Sequence, residues 1–193
     1  YFKLSIILNE NYHDSYFYLG YCYYSISDYE NAIINYKEYI LLNPNKASAY
    51  YNLAMMYHFS GNKVRAVIFY QKAIDLQPDY IRAINNLGLV LYDMNQRELA
   101  VKLFNDAIKI NPNDAEAYSN LGIHERDSLN YDMAINYFQK ARRLDPDFYY
   151  NYFNMGETYK LSGNIEAAQT AYKQCLEKNP GYKPAIIALQ SIA

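Results

Sequence analysis

The chain has 193 residues, with 18 Lys and Arg against 20 Asp and Glu, so a formal charge of −2 offers no cationic surplus for a nucleic acid or an anionic membrane. Hydrophobic residues make up 51% and charged residues 20%, which excludes a disordered tail and predicts a folded protein; with no membrane-length apolar run and no charged n-region before an apolar stretch at its start, a soluble, cytoplasmic one is expected. The longest apolar run, residues 16–26, falls short of the ~20 residues a membrane helix needs, and Cys22 and Cys175 form no Cys-x-x-Cys pair, so neither membrane insertion nor a thiolate metal site is indicated.

In chain order, residues 1–12 align with the end of a later helix, residues 69–80, and read as the second helix of a pair whose first is missing. Their apolar stripe, Leu4, Ile7 and Leu8, predicts weak self-association through that end. Beyond it the prolines set a period, since Pro44, Pro78, Pro112, Pro146 and Pro180 stand 34 residues apart. Placing each at position 32 of a unit gives five repeats: 13–46, 47–80, 81–114, 115–148 and 149–182. Position 4 holds Tyr16, Tyr50, Ile84, Tyr118 and Tyr152, and position 7 holds Leu19, Leu53, Leu87, Leu121 and Met155. Position 8 is small throughout (Gly20, Ala54, Gly88, Gly122, Gly156). Position 20 is always alanine (Ala32, Ala66, Ala100, Ala134, Ala168), and position 24 is always aromatic (Tyr36, Tyr70, Phe104, Phe138, Tyr172).

Positions 4, 7, 8 and 11 follow helical spacing, as do 20, 24, 27 and 28, so each unit is two amphipathic helices. Turn residues such as Ser60-Gly61-Asn62 and Ser162-Gly163-Asn164 part them, and Asn-Pro, Gln-Pro or Asp-Pro ends the second. Small residues at positions 8 and 20 are expected to let the paired helices approach closely. Residues 183–193 read as one further, capping helix.

This pattern resembles the tetratricopeptide repeat family, whose signature runs aromatic-x-x-Leu-Gly-x-x-Tyr, then Ala-x-x-x-Phe, then Pro over 34 residues. The resemblance implies an all-α right-handed superhelical solenoid of antiparallel helix pairs. It also implies a non-catalytic module or scaffold that binds a protein or peptide ligand. Two alternatives stay open: the substrate-recognition segment of a larger enzyme such as a peptide O-linked glycosyltransferase, and a structural subunit of a large assembly.

Catalytic motifs are missing, with no Gly-x-Gly-x-x-Gly, phosphate-binding loop, Gly-x-Ser-x-Gly or His-Glu-x-x-His, and no cofactor or metal is expected. Glu125 breaks the template, because position 11 is otherwise Tyr23, Tyr57, Leu91 and Tyr159, and a local partner (Arg126, His124 or a tyrosine hydroxyl) is expected for it. Cys175 reads as a small buried apolar residue.

In a stack of such units the first helices line an inner groove, into which positions 2, 5, 6, 9, 12 and 13 point. Position 6 reads Tyr18, Asn52, Asn86, Asn120 and Asn154. Each asparagine offers a donor and an acceptor, so the row suits a ligand's main chain. It looks like the asparagine ladder of O-linked N-acetylglucosamine transferases, although asparagine here is also typical of the family at large. Asn85 at position 5 joins this polar row. Toward the N-terminus the lining is aromatic and soft, with Phe17, Tyr18, Tyr21, Tyr51, Met55 and His58; Arg82 begins a charged half. A chaperone-tail carboxylate clamp would need Lys, Asn, Asn, Lys and Arg where the first frame has Phe17, Tyr21, Asn52, Arg82 and Asn86, so that function is disfavoured.

Overall fold

The computed structural model describes residues 14–192, which carry eleven helices and, among the described residues, no strand. Residues 1–12, and with them the predicted self-association surface, lie outside the described residues. The chain divides into two compact units between Leu103 and Phe104. The first holds α1 (Asp14–Ser25), α2 (Tyr29–Leu42), α3 (Ala47–Phe59), α4 (Lys63–Leu76) and α5 (Ile81–Asp93). The division falls within α6 (Arg97–Ile110). The second unit continues with α7 (Ala115–Asp127), α8 (Tyr131–Leu144), α9 (Tyr149–Leu161), α10 (Ile165–Lys178) and α11 (Lys183–Gln190). Within the first unit each helix from α1 to α5 packs on the next, and within the second the same holds from α7 to α11.

Each helix pair turns through one left-handed residue, and all five occupy position 15. Ser27, Gly61, Asn95, Leu129 and Gly163 have φ of 59°, 82°, 62°, 65° and 84°. Glycine and asparagine take this region cheaply, whereas Leu129 incurs the Cβ clash. In three of the repeats the following residue caps the second helix through its side chain. Asp28, Asn62 and Asn164 accept the backbone N–H of Asn31, Arg65 and Ala167 at 3.1–3.2 Å.

The core follows the repeat. Ala32, Ala66, Ala134 and Ala168 are fully buried, and Tyr36, Tyr70, Phe138 and Tyr172 nearly or wholly so. The close approach at position 8 has a specific partner that the sequence reading did not identify. A Cβ on Gly20 would lie 2.8 Å from the Tyr36 ring, one on Gly122 would lie 2.7 Å from the Phe138 ring, and one on Gly156 would strike the Tyr172 ring. The glycine therefore accommodates the aromatic of position 24, and alanine at 20 is not what it meets.

Consecutive repeats are also tied by hydroxyls. Tyr50 donates to the Pro44 carbonyl at 3.1 Å, and Tyr152 to the Pro146 carbonyl at 2.9 Å. The proline just past the C-cap of one second helix is thus tied to the next first helix.

Candidate functional site

In the first unit, α1 and α3 expose aromatic surface. Tyr21 is 60% exposed, and Tyr18 and Phe59 are each 49% exposed. Phe59 stacks on Tyr24 and on Tyr29, each at 5.8 Å between ring centres, and lies parallel to His58 at 5.9 Å. Burial lowers the pKa of His58, and Lys63 lowers it further, against the opposing pull of Asp93. Lys63 itself reaches Asp93, 3.3 Å from the carboxylate and 3.3 Å from the backbone carbonyl.

Most of the other residues singled out in this unit are partly or wholly buried. Phe17 is half-buried, with its ring 5.6 Å from Tyr36 and 5.2 Å from Tyr39. Tyr51 packs between Tyr70 and Tyr80, and its hydroxyl accepts a hydrogen bond from Asn86 Nδ2 at 3.1 Å. Asn52 and Met55 are half-buried, Arg82 is exposed, and Asn85 is fully buried, so it presents nothing to an open groove. Period alone cannot tell an inner-face asparagine from one packed between helices.

In the second unit Asn120 and Asn154 are 6% and 4% exposed, and the Nδ2 donors of both are buried with no hydrogen-bond partner. Asn154 Oδ1 accepts from Arg126 Nη1 at 3.1 Å, and Arg126 in turn pairs with Asp127 at 3.2 Å. Asn151, at the position alanine holds in three other repeats, is fully buried with both amide atoms unpartnered. Glu125 finds a local partner, but a different one from those expected: Asn130 Nδ2 donates to Oε2 at 2.8 Å. Asn130 is the N-cap residue of α8 and makes no side-chain cap bond there.

Sequence reasoning missed one contact on this face. The Tyr172 hydroxyl, reaching past Gly156, donates to Glu157 Oε1 at 2.5 Å. Burial, then the bond and charge of Glu157, raise the pKa of Tyr172, so the hydroxyl keeps its proton. Tyrosine at position 24, glycine at 8 and a carboxylate at 9 of one repeat are the signal that points to it.

Cys175 is fully buried, and burial pushes its thiol up to about 11, which makes it a poor nucleophile. Among the described residues there is no cluster of three or more His, Cys, Asp or Glu side chains that could hold a metal, and no helix is long and apolar enough to cross a membrane.

Family models described as tetratricopeptide repeat match residues 13–46, 47–80, 115–148 and 149–182, and one described as TPR repeat matches residues 89–127. Comparison with curated proteins gave no match. The fold is similar to that of a thermophilic TPR protein of Thermus thermophilus, at 21% identity over 93% of this chain and 98% of that one, with a TM-score of 0.80. YrrB, described as a TPR protein with an unusual peptide-binding site, is 24% identical over 98% of this chain and 97% of its own, with a TM-score of 0.63. One chain of the APC/C hetero-tetramer Cut9–Hcn1 gives a TM-score of 0.82 at 20% identity, over 99% of this chain and 38% of that one. At these identities the likeness is one of fold.

Proposed function

Since the chain belongs to the tetratricopeptide repeat family, whose members generally mediate protein–protein interaction, we propose that it is a non-catalytic binding module holding an extended peptide or partner segment along the inner face of its first helices. The observation that carries this reading is the exposure of Tyr18, Tyr21 and Phe59 together on that face of the first unit. Large aromatic side chains left half in water are the residue types that dominate interface energetics.

Asparagines at position 6 add main-chain recognition within each unit: Asn52 and Asn86 in the first, Asn120 and Asn154 in the second. The buried amide donors of Asn120 and Asn154 lack an acceptor, which a ligand carbonyl would supply. Replacing Tyr21 and Phe59 together with Ala tests the reading. Affinity for a bound peptide falls by about tenfold or more, as for a central interface aromatic, while helicity by circular dichroism is unchanged; equal affinity in the double variant contradicts it.

A second reading, a structural subunit packed into a larger assembly through its outer face, draws on a different observation. Ile34, Val64 and Ile68 on the second helices of the first unit are 56%, 62% and 57% exposed. Replacing Ile34 and Ile68 with Ser separates the two, because only the assembly reading makes partner binding depend on them.

A further inference from the structure

We infer that Glu157 is a cation-recognising position, and that the inner face of the second unit selects a ligand segment with a lysine or arginine side chain seated over α9. This rests on the peptide-binding reading above and specifies its ligand. Position 9 is Tyr21, Met55, Leu89 and Ile123 in the other repeats, so the carboxylate is peculiar to this one. Glu157 lies three residues beyond Asn154, on the same stripe of α9.

Its carboxylate is held from behind. The Tyr172 ring is fully buried, passes the bare Cα of Gly156, and delivers its hydroxyl to Oε1 at 2.5 Å. A single hydroxyl leaves Oε2 and the remaining lone pairs open to a further donor. Nearby cations are committed elsewhere: Arg126 to Asp127 and Asn154, and Lys160 Nζ to Ser191 Oγ at 3.5 Å. Among the described residues no ion pair within 4.0 Å involves Glu157.

A half-buried carboxylate with one neutral donor calls for a positive partner. The unpartnered Nδ2 donors of Asn120 and Asn154, both more than nine-tenths buried, independently mark the same face as lacking acceptors. An extended peptide supplies both needs, with carbonyls for the amides and an ammonium or guanidinium for Glu157.

The test is an array of 12-residue peptides in fixed backgrounds, each carrying Lys, Nε-acetyl-lysine or Glu at successive positions, probed with the full chain. The wild type is expected to prefer Lys over acetyl-lysine at one position by about tenfold, the size of one charge-assisted bond. Glu157→Gln abolishes that preference while still binding the acetyl-lysine peptide. Tyr172→Phe, which has Phe104 and Phe138 as precedents in its register, reduces the preference without abolishing binding. Equal binding of the Lys and acetyl-lysine peptides, or a preference that survives Glu157→Gln, overturns the inference and leaves the peptide-binding reading standing. An array that the wild type does not bind at all overturns both.

Discussion

At the scale of single residues, the repeat is enforced by what its glycines and left-handed residues exclude. The Phe138 ring occupies the space a Cβ on Gly122 would need, so Gly122→Ala is expected to cost ~1–3 kcal/mol by overpacking. Pairing it with Phe138→Leu recovers part of the loss, and a urea midpoint unchanged by Gly122→Ala contradicts the contact. Leu129 works in the opposite sense. It is 71% exposed with φ of 65°, so Leu129→Gly relieves strain while giving up little buried surface. The net gain is about 0.5–1 kcal/mol, because glycine also loosens the unfolded chain. Asn151 carries a third such cost. With both amide atoms buried and unpartnered where Ala49, Ala83 and Ala117 stand in other repeats, Asn151→Ala should stabilise the fold by roughly 1–3 kcal/mol per orphan group removed and so raise the melting temperature. A lower melting temperature shows that the amide has a partner.

At the scale of helices, one substitution in the core template alters a cap. Glu125 sits where other repeats bury Tyr57 and Leu91 and half-bury Tyr159, and it accepts the Asn130 amide, which does not cap the first turn of α8. Glu125→Leu should add apolar packing and free Asn130 to cap, as Asn62 and Asn164 do. A cap of this kind is worth about 0.5–2 kcal/mol. In a double-mutant cycle, the gain shrinks by about that amount when Asn130 is Ala; additivity contradicts the coupling. These elements show why some of the structure was legible and some was not. Helix pairs and their all-α stacking follow from apolar spacing and proline, which act locally and repeat five times. Site geometry depends on side-chain direction. Asn85, Asn120 and Asn154 share a polar residue type with Asn52 yet are buried, and Tyr172 reaches Glu157 across a helix pair, a contact between residues fifteen apart. Periodicity assigns a face but not what covers it.

At the scale of the molecule, the two units carry different chemistry on their first helices. The first presents exposed Tyr18, Tyr21 and Phe59, and the second presents Glu157, the Arg126–Asp127 pair and buried amides. An apolar ligand segment matches the first surface in kind, and a basic segment the second. The most direct measurement is a photo-cross-link map of the full chain with a peptide selected on the array, using a photoreactive residue placed singly at Tyr21, Met55 or Ile123 and, for comparison, at Ile34, Ile68 or Asn136. Cross-links to peptide at the first three and none at the last three are the result expected; cross-links at Ile34, Ile68 and Asn136 with none at Tyr21, Met55 or Ile123 would place the ligand on the outer helices and contradict the account.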